Sequence, residues 1–446
     1  EESSVWLDRA WHSMRHLPPC GGGWEGAVSL GVPPMTRNLP TQEARIAEDI
    51  ATLAEITEPG RPYTRRAFTP MFLRGREWLV RCFEAAGLET RVDASGNLIG
   101  RRRGRTGGKT IMLGSHSDTV PDGGRFDGIA GVSAALEVAR ALTDQGVQLE
   151  HDLEIVDFLA EEVSIFGVSC VGSRGMAGVR PDNWLDREVV QFTLREGIAE
   201  VGGNPGKVEK REDIAAFLEL HIEQGPVLED GHLDIGVVTA IAGITRIEVV
   251  VNGRADHAGT TPMGSRQDAL TTAARLVLGI EELGTLLSQG KFHFAATVGE
   301  FSIEPGAANV VPSRARLLID ARAERREDMQ RFVAELAVLV NATAAATGVT
   351  IEPPLTISDN LPTPGDPFVL DTLDAAAVAV GARHRRMASG AGHDTAWMAR
   401  VTKAAMIFIP CLGGRSHTPD EYAETADVAL GAAVLLEAVK RLDKEL

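Results

Sequence analysis

The sequence predicts an α/β protein with a mainly parallel sheet, interrupted by a smaller α+β unit. Short apolar runs alternate with stretches of helical periodicity over most of the chain, which is typical of a parallel sheet covered by helices. Residues 245–355 instead follow the order strand, helix, strand, strand, helix, strand. Because this order is the split βαβ pattern of ferredoxin-like units, we expect a second unit inserted into the first.

The first part of the chain is predicted to contain two amphipathic helices, then strands that alternate with one further helix. Gly87 and Gly146 follow two of these helices and are their expected stops. Residues 181–212 are charged and irregular, which indicates a surface helix and loop. The predicted helices are 42–56, 68–86 and 129–145, and the predicted strands are 89–92, 97–101, 110–115, 153–160 and 216–221.

The later elements complete both units. They are strands 245–251, 292–300, 314–322 and 349–352 with helices 266–287 and 324–347, and then helix 367–380, loop 389–394, strand 404–409 and helix 427–442. We therefore divide the chain into one domain at 35–244 and 356–446 and an inserted domain at 245–355. Residues 1–34 hold three of the six tryptophans and a Pro-Pro-Cys-Gly-Gly-Gly stretch. They are predicted to be an N-terminal extension outside the core.

Composition limits the classes of partner. The formal net charge of −17 argues against binding to nucleic acid or to an anionic membrane surface. No apolar run reaches the length of a membrane span. The four cysteines are far apart and form no CxxC pair, so unpaired thiols in a reducing cytoplasm are the expected state.

Residues 111–133 carry the first group of candidate metal ligands. His116 and Asp118 lie two apart at a predicted strand end, so their side chains point to the same side. Asp127 precedes Gly128 and a helix-like stretch. An imidazole and carboxylates at the carboxyl end of a buried strand suit a divalent metal. For His116 alone, a polar turn with solvated aspartates is the better interpretation.

Further ligand types recur where other strands are predicted to end, and this favours a metal site over a polar turn. They are Glu161, Glu162, His221 and His417. Three histidines with aspartate and glutamate suit two metal ions that share one carboxylate. Because adjacent side chains diverge at a strand end, one of the two glutamates can bind metal while the other stays free as a base.

Eight motifs resemble those of the M20-type metallo-amidohydrolases, and within them the hydantoinase/carbamoylase family. They are Gly-Ser-His-Ser-Asp-Thr-Val-Pro, Gly-Arg-Phe-Asp-Gly-Ile-Ala-Gly-Val, Glu-Glu with Phe-Gly-Val-Ser-Cys-Val-Gly-Ser-Arg, His-Ile-Glu-Gln-Gly-Pro-Val-Leu-Glu, Ala-Asp-His-Ala-Gly-Thr-Thr-Pro-Met, Gly-Ala-Ala-Asn-Val-Val-Pro, Ser-Gly-Ala-Gly-His-Asp and Arg-Ser-His-Thr-Pro-Asp-Glu. They occur in order from about residue 40 to 440. The Val-Ser-Ile-Phe that follows Glu-Glu departs from the family pattern and leaves the subfamily open.

The resemblance implies a role for each candidate ligand. His116 and His221 would bind the first ion, and Asp127 would bridge to a second. Glu162 and His417 would complete the second ion's ligands, Asp118 would orient His116 and Glu161 would be the general base. The expected cofactors are two divalent metal ions, zinc first, with manganese, cobalt and nickel as alternatives.

The inserted domain would act as a lid and dimerisation domain of a cytoplasmic homodimer. Within it, the resemblance implies that His257 polarises the scissile carbonyl and that Asn309 and Arg322 contact substrate, often in the partner subunit's site. Arg322 suits a substrate carboxylate. A turn histidine and a solvated strand-end arginine are the alternatives for His257 and Arg322.

Three further residues of the first domain are expected at the substrate. Gln224 would contact the carbamoyl or amide end, and Gly390 and Gly392 would let the backbone approach it closely. The implied reaction is hydrolysis of a small N-carbamoyl-L-amino acid or related ureido acid, which releases ammonia and carbon dioxide. Allantoate or ureidoglycolate hydrolysis, a dipeptidase or aminoacylase activity, and a binding protein without catalysis are the alternatives.

Overall fold

The computed structural model describes residues 38–207 and 210–446, so the predicted extension at 1–34 lies outside the described residues. The helices are α1 Glu43–Glu55, α2 Pro70–Ala85, α3 Ile129–Asp144, α4 Val171–Met176, α5 Leu194–Glu200, α6 Val227–Asp230, α7 Ala269–Ser288, α8 Arg326–Thr347, α9 Pro367–Val380, α10 Thr395–Met398 and α11 Thr425–Glu445. The strands are β1 Glu89–Val92, β2 Leu98–Arg102, β3 Thr110–His116, β4 Asp152–Phe158, β5 Glu188–Val189, β6 Phe192–Thr193, β7 Ile214–Ile222, β8 Ile235–Ile241, β9 Gly243–Asn252, β10 Asp256–His257, β11 Phe294–Glu304, β12 Val310–Val311, β13 Arg314–Ala323, β14 Thr350–Ile351, β15 Leu355–Asp359, β16 Thr363–Pro364, β17 His384–Ser389 and β18 Lys403–Ile409.

The larger sheet is parallel at its centre and antiparallel towards its edges. Within the described residues it has nine strands, in the order β1-β2-β4-β3-β7-β18-β8-β16, with β17 also paired to β8. The neighbours β4, β3, β7 and β18 run parallel, whereas β2 and β8 pair antiparallel with β4 and β18. The predicted α/β class is confirmed, and its parallel part is the central block of four strands.

Burial on both faces explains the sequence of the central strands. Every residue of β3 and β4 is buried, as expected for strands with helices on both sides. Gly131 lets α3 lie directly on β7, because a Cβ at this position would be 2.2 Å from the carbonyl oxygen of Leu220. The start of α3 is thereby held beside the ends of the central strands.

A second sheet contains β11, β13, β9 and β14 in that order, with β15 also paired to β9. The helices α7 and α8 pack against it around a core that includes Leu276, Ile280 and Phe332. The chain order of these elements is the predicted split pattern. A domain boundary at residues 245 and 355 stays a prediction.

Eight strands of the described residues were not predicted, namely β5, β6, β8, β10, β12, β15, β16 and β17. The β17 sequence His-Arg-Arg-Met-Ala-Ser has no apolar pattern and forms a strand only because β8 lies beside it. Part of the region 181–212, which was predicted to lie on the surface, is buried. Leu194 and Ile198 of α5 are buried, and Thr193 begins this helix with a capping box.

Two further features of the described residues are the state of their cysteines and the length of their helices. Cys82, Cys170 and Cys411 are unpaired, and Cys20 lies outside the described residues. In this part of the chain, every helix is too short or too polar to cross a membrane.

A buried ion pair ties α2 to the end of β4. Arg76 Nε lies 2.8 Å from Asp157 Oδ2, and both side chains are buried. Arg76 also donates to the carbonyl oxygens of Gly96 and Asp157, and the Ser117 hydroxyl donates to Asp157 Oδ2 at 3.1 Å. Burial raises the pKa of the Asp157 carboxyl, although Arg76 opposes the shift. Asp157 thus links β4 to α2 through Arg76 and to the segment after β3 through Ser117.

We expect Asp157→Ala to lower the free energy of unfolding by about 3–5 kcal/mol, because it leaves the Arg76 charge buried and unpaired. Glu89→Ala is the matched control, since Glu89 pairs with Arg103 where both side chains are exposed. This control should lower the free energy of unfolding far less, because solvent screens an exposed ion pair. Urea unfolding measures both values, and equal losses would contradict the role assigned to the buried pair.

Candidate metal centre

The four parallel strands bring the predicted ligands to one edge of the larger sheet. His116 is the last residue of β3, and His221 lies one residue before the end of β7. Glu161 and Glu162 follow β4, and His417 lies in the loop after β18. Because β4, β3, β7 and β18 run parallel, their carboxyl ends meet at the same edge, where open α/β sheets place their sites.

The carboxylate of Asp127 lies at the centre of the cluster. Its Oδ1 atom is 3.5 Å from His116 Nε2 and 3.3 Å from His221 Nε2. Its Oδ2 atom is 3.4 Å from His417 Nε2, which in turn lies 3.0 Å from Glu162 Oε1. The structure therefore contains two groups of three ligand atoms that share Asp127, and the atoms of each group lie within 4.8 Å of one another.

The two buried histidines are oriented for metal binding. His116 Nδ1 lies 3.0 Å from the carbonyl oxygen of Asp118, and His221 Nδ1 lies 2.9 Å from that of Ile222. Since a carbonyl oxygen only accepts, each Nδ1 carries the proton and each neutral ring keeps a lone pair on Nε2. Both Nε2 atoms face Asp127. This donor set of imidazoles and carboxylates fits a divalent cation.

Asp118 was expected to orient His116, and the structure shows which of its atoms lie near that ring. Its backbone carbonyl, rather than its carboxylate, lies within hydrogen-bond distance of His116, since Asp118 Oδ1 is 3.6 Å from His116 Nδ1. The same oxygen accepts a hydrogen bond from the Glu161 amide at 3.2 Å. Asp118 thus links the segment after β3 to the segment after β4.

The charges of the cluster shift its protonation equilibria strongly. Burial alone would lower the pKa of His116, but Asp118, Glu161 and Asp127 outweigh it and raise this pKa well above its ordinary value. Hydrogen bonds to Asp127 and Glu162 raise the pKa of His417 to about 10. Despite burial, the neighbouring histidines hold the pKa of Asp127 well below its ordinary value. Because a cation needs the unprotonated Nε2 atom of each imidazole, metal binding would release a proton held at that atom.

The two adjacent glutamates point in different directions. Glu162 lies against His417, whereas Glu161 Oε2 lies 3.7 Å from His116 Nε2. Ala160, just before them, has a positive φ of 52°, a conformation that non-glycine residues adopt mainly where the structure requires it. Burial raises the pKa of Glu161 well above its ordinary value, with His116 opposing and Asp394 adding to the shift.

Three polar side chains support the segment that carries Asp127. Gln224 Nε2 and the Ser416 hydroxyl each lie 2.6 Å from Asp127 Oδ2. Glu421 accepts hydrogen bonds from the amides of Phe126 and Asp127. Gln224 was expected at the substrate, whereas Ser416 and Glu421 were assigned no role. Their only sequence signal is membership of the Arg-Ser-His-Thr-Pro-Asp-Glu motif.

A cavity of about 830 Å³ extends from this edge to the second sheet. Gln224, Gly390 and Arg322 line it, and Gly392 is not among its lining residues. Arg322 Nη1 donates to the carbonyl oxygen of Gly390, and Arg322 Nε donates to Asp320, both at 2.8 Å. Three predicted substrate residues therefore share one cavity. Among the described residues, no candidate metal ligand lines this cavity, and Gln224 connects it to the ligand cluster through its contact with Asp127.

His257 and Asn309, which were also expected at the substrate, lie elsewhere. His257 ends β10 and Asn309 directly precedes its partner β12, and the Ala258 amide donates to the Asn309 carbonyl at 2.9 Å. Both side chains are exposed, and neither lines the cavity. His257 Nδ1 accepts a hydrogen bond from the Gly259 amide at 3.0 Å. Within the described residues, the structure does not bring this pair to the ligand cluster of the same chain.

Comparisons with known proteins agree with the motifs. The model of peptidase family M20/M25/M40 matches residues 112–441. The chain is 38% identical to an N-carbamoyl-L-amino-acid amidohydrolase of Paenarthrobacter aurescens, covering 90% of this chain and 98% of the relative. It is 36% identical to a ureidoglycolate hydrolase of Oryza sativa subsp. japonica, covering 89% and 84%. The predicted family resemblance is confirmed.

A solved structure with the same fold is similarly close. It is an amidase of the hydantoinase/carbamoylase family from Burkholderia multivorans, with a TM-score of 0.84 and 36% identity. The match covers 90% of this chain and 97% of that chain.

We expect the wild-type protein to hold two zinc ions per chain and His417→Ala to hold one, because this change removes a ligand from one group only. Elemental analysis after chelation, zinc addition and gel filtration measures this content. His151→Ala is the control, since His151 pairs with Asp443 outside the cluster and its loss should leave metal content unchanged. Two ions retained by His417→Ala would contradict the grouping.

Proposed function

We propose that this chain, which belongs to peptidase family M20/M25/M40 and within it to the hydantoinase/carbamoylase amidases, hydrolyses an N-carbamoyl-L-amino acid. The products would be the amino acid, ammonia and carbon dioxide. The observation that carries this proposal is the pair of ligand groups that share Asp127, with Glu161 beside them and outside both groups. Such a site can activate water against an unreactive ureido carbon.

The ligand assignment follows the two faces of Asp127. His116 and His221 with Asp127 Oδ1 would hold one divalent cation, and Glu162 and His417 with Asp127 Oδ2 would hold the other. Zinc suits these ligands, and manganese, cobalt and nickel are alternatives. When bound, the cations would lower the pKa of a water molecule and polarise the scissile carbonyl.

Glu161 is the proposed general base. Its carboxylate lies at the cluster but belongs to neither ligand group, so it is free to take the proton of the attacking water. It would then give that proton to the terminal nitrogen as the C–N bond breaks and ammonia leaves. The remaining carbamate would lose carbon dioxide to yield the amino acid.

Arg322 is the proposed partner of the substrate carboxylate. Asp320 and the Gly390 carbonyl hold its Nε and Nη1 atoms, and within the described residues its Nη2 atom has no protein acceptor. Arg322 and Gln224 line the same cavity, and Gln224 touches Asp127. A ureido acid could therefore place its carboxylate at Arg322 and its ureido group at the metal ligands.

His257 and Asn309 would complete the site of a second copy of the chain. Both are exposed and lie away from the cavity of their own chain. A homodimer could present them to the partner's cavity, where His257 would stabilise the developing oxyanion.

Ureidoglycolate is the second candidate substrate. It is favoured by the relative named ureidoglycolate hydrolase, which is 36% identical to this chain. The Phe-Gly-Val-Ser-Cys-Val-Gly-Ser-Arg segment is similar to both the ureidoglycolate and the carbamoylase-like branches of the family. Ureidoglycolate presents the same carboxylate and ureido groups to Arg322 and the metal ligands.

The test is a substrate panel of carbamoyl-L-amino acids, carbamoyl-β-alanine, allantoate and ureidoglycolate, assayed for ammonia release with zinc, manganese, cobalt or nickel added. We expect ammonia from at least one carbamoyl-L-amino acid. Glu161→Gln should keep its metal and lose at least about 100-fold in kcat, because the base is gone. Dipeptide cleavage without ureido cleavage would contradict the proposal.

The composite site predicts complementation between two inactive variants. His257→Ala and Glu161→Gln, each purified and inactive, are mixed and allowed to exchange subunits. A mixed dimer would hold one site with both residues intact, so activity should return to about a quarter of the wild-type value. No recovery despite exchange, shown with differently tagged subunits, would place both residues in the site of one chain.

A further inference from the structure

We propose that Ser416 and Glu421 are positioning residues that fix the orientation of the Asp127 carboxylate between the two ligand groups. Neither side chain lies among the ligand atoms of the two groups, so both would act through Asp127. The inference rests on the proposed function, because it requires Asp127 to bridge two cations.

The Ser416 hydroxyl bridges two carboxylates. Its Oγ atom lies 2.6 Å from Asp127 Oδ2 and 2.8 Å from Glu421 Oε2. A hydroxyl has one proton, so it donates to one of these oxygens at a time. Through this contact, Glu421 holds Ser416 against the one Asp127 oxygen that faces His417.

Glu421 also holds the backbone beneath Asp127. Its Oε1 atom accepts hydrogen bonds from the amides of Phe126 at 2.7 Å and Asp127 at 2.9 Å. The residue is only 1% exposed, and a carboxylate is stable at such depth only when its oxygens are hydrogen-bonded. Glu421 Oε1 accepts from the Asp127 amide, and Glu421 Oε2 contacts the Ser416 hydroxyl, which also contacts the Asp127 carboxylate.

A glycine makes room for this carboxylate. A Cβ built on Gly124 would lie 1.9 Å from Glu421 Cδ, so any side chain here would displace it. Gly124 lies three residues before Asp127, the proposed bridging ligand. The loop that carries Asp127 therefore packs directly against Glu421.

Orientation matters because the two Asp127 oxygens serve different groups. Oδ1 faces His116 and His221, whereas Oδ2 faces His417. Rotation about the Cβ–Cγ bond would turn both oxygens away from their groups. Gln224 also donates to Oδ2, but it is a proposed substrate contact. If Gln224 turns to the substrate, Ser416 remains as the donor to Asp127 Oδ2.

The experiment is calorimetric titration of the metal-free full chain with Zn²⁺, for the wild type, Ser416→Ala and the conservative Ser416→Thr and Glu421→Gln. We expect Ser416→Ala to weaken the binding of at least one equivalent about 10- to 100-fold. Ser416→Thr keeps the hydroxyl, and Glu421→Gln keeps an acceptor for both amides, so both should remain within about threefold of the wild type. Asp420→Asn is the control, since Asp420 is exposed and pairs with Arg415.

Two outcomes separate this inference from the function it rests on. Wild-type affinity for both equivalents in Ser416→Ala would overturn the inference while leaving the metal centre intact. No zinc binding by the wild type would overturn the proposed function and the inference with it. Thermal unfolding of the metal-free variants gives an independent reading. A lower midpoint for Ser416→Ala with unchanged zinc affinity would show a merely structural role and overturn the inference.

Discussion

The site depends on one buried carboxylate that is shared by two groups of ligands. Asp127 faces three imidazoles, two through Oδ1 and one through Oδ2. A carboxylate buried in this way stays ionised only because positive partners surround it, and the depressed pKa of Asp127 reflects these neighbours. In the metal-free chain the neighbouring imidazoles hold this pKa down, and under the proposed function the cations would do so. The same geometry therefore satisfies the carboxylate in both states.

The fold holds this carboxylate in place through close backbone contacts. Gly128 follows Asp127 with a positive φ, and a Cβ here would lie 2.4 Å from the His116 ring. Gly131 brings α3 equally close to β7. The loop and helix start are thus pressed onto the strand ends that carry His116 and His221. Parallel strands supply the histidines, and glycines let the aspartate reach them.

Sequence reasoning could find the ligands because residue type and strand position define them. His116, His221 and the Glu161–Glu162 pair are ligand types at the ends of apolar runs, and parallel strands end at one edge. It could not find the roles of Ser416 and Glu421, because their partners are a distant carboxylate and backbone amides. The β17 strand escaped prediction for a related reason, since its pairing with β8 comes from the fold rather than from its own charged sequence.

The proposed substrate residues His257 and Arg322 take different positions, although both belong to residues 245–355. Arg322 turns towards the larger sheet and is held there by the Gly390 carbonyl, so it lines the cavity of its own chain. His257 and Asn309 are exposed on the β10–β12 segments and do not line that cavity. A side chain suited to stabilise an oxyanion has no such task in solvent. Under the proposed function His257 would act on a substrate bound by another chain, and activity would require assembly as well as metal.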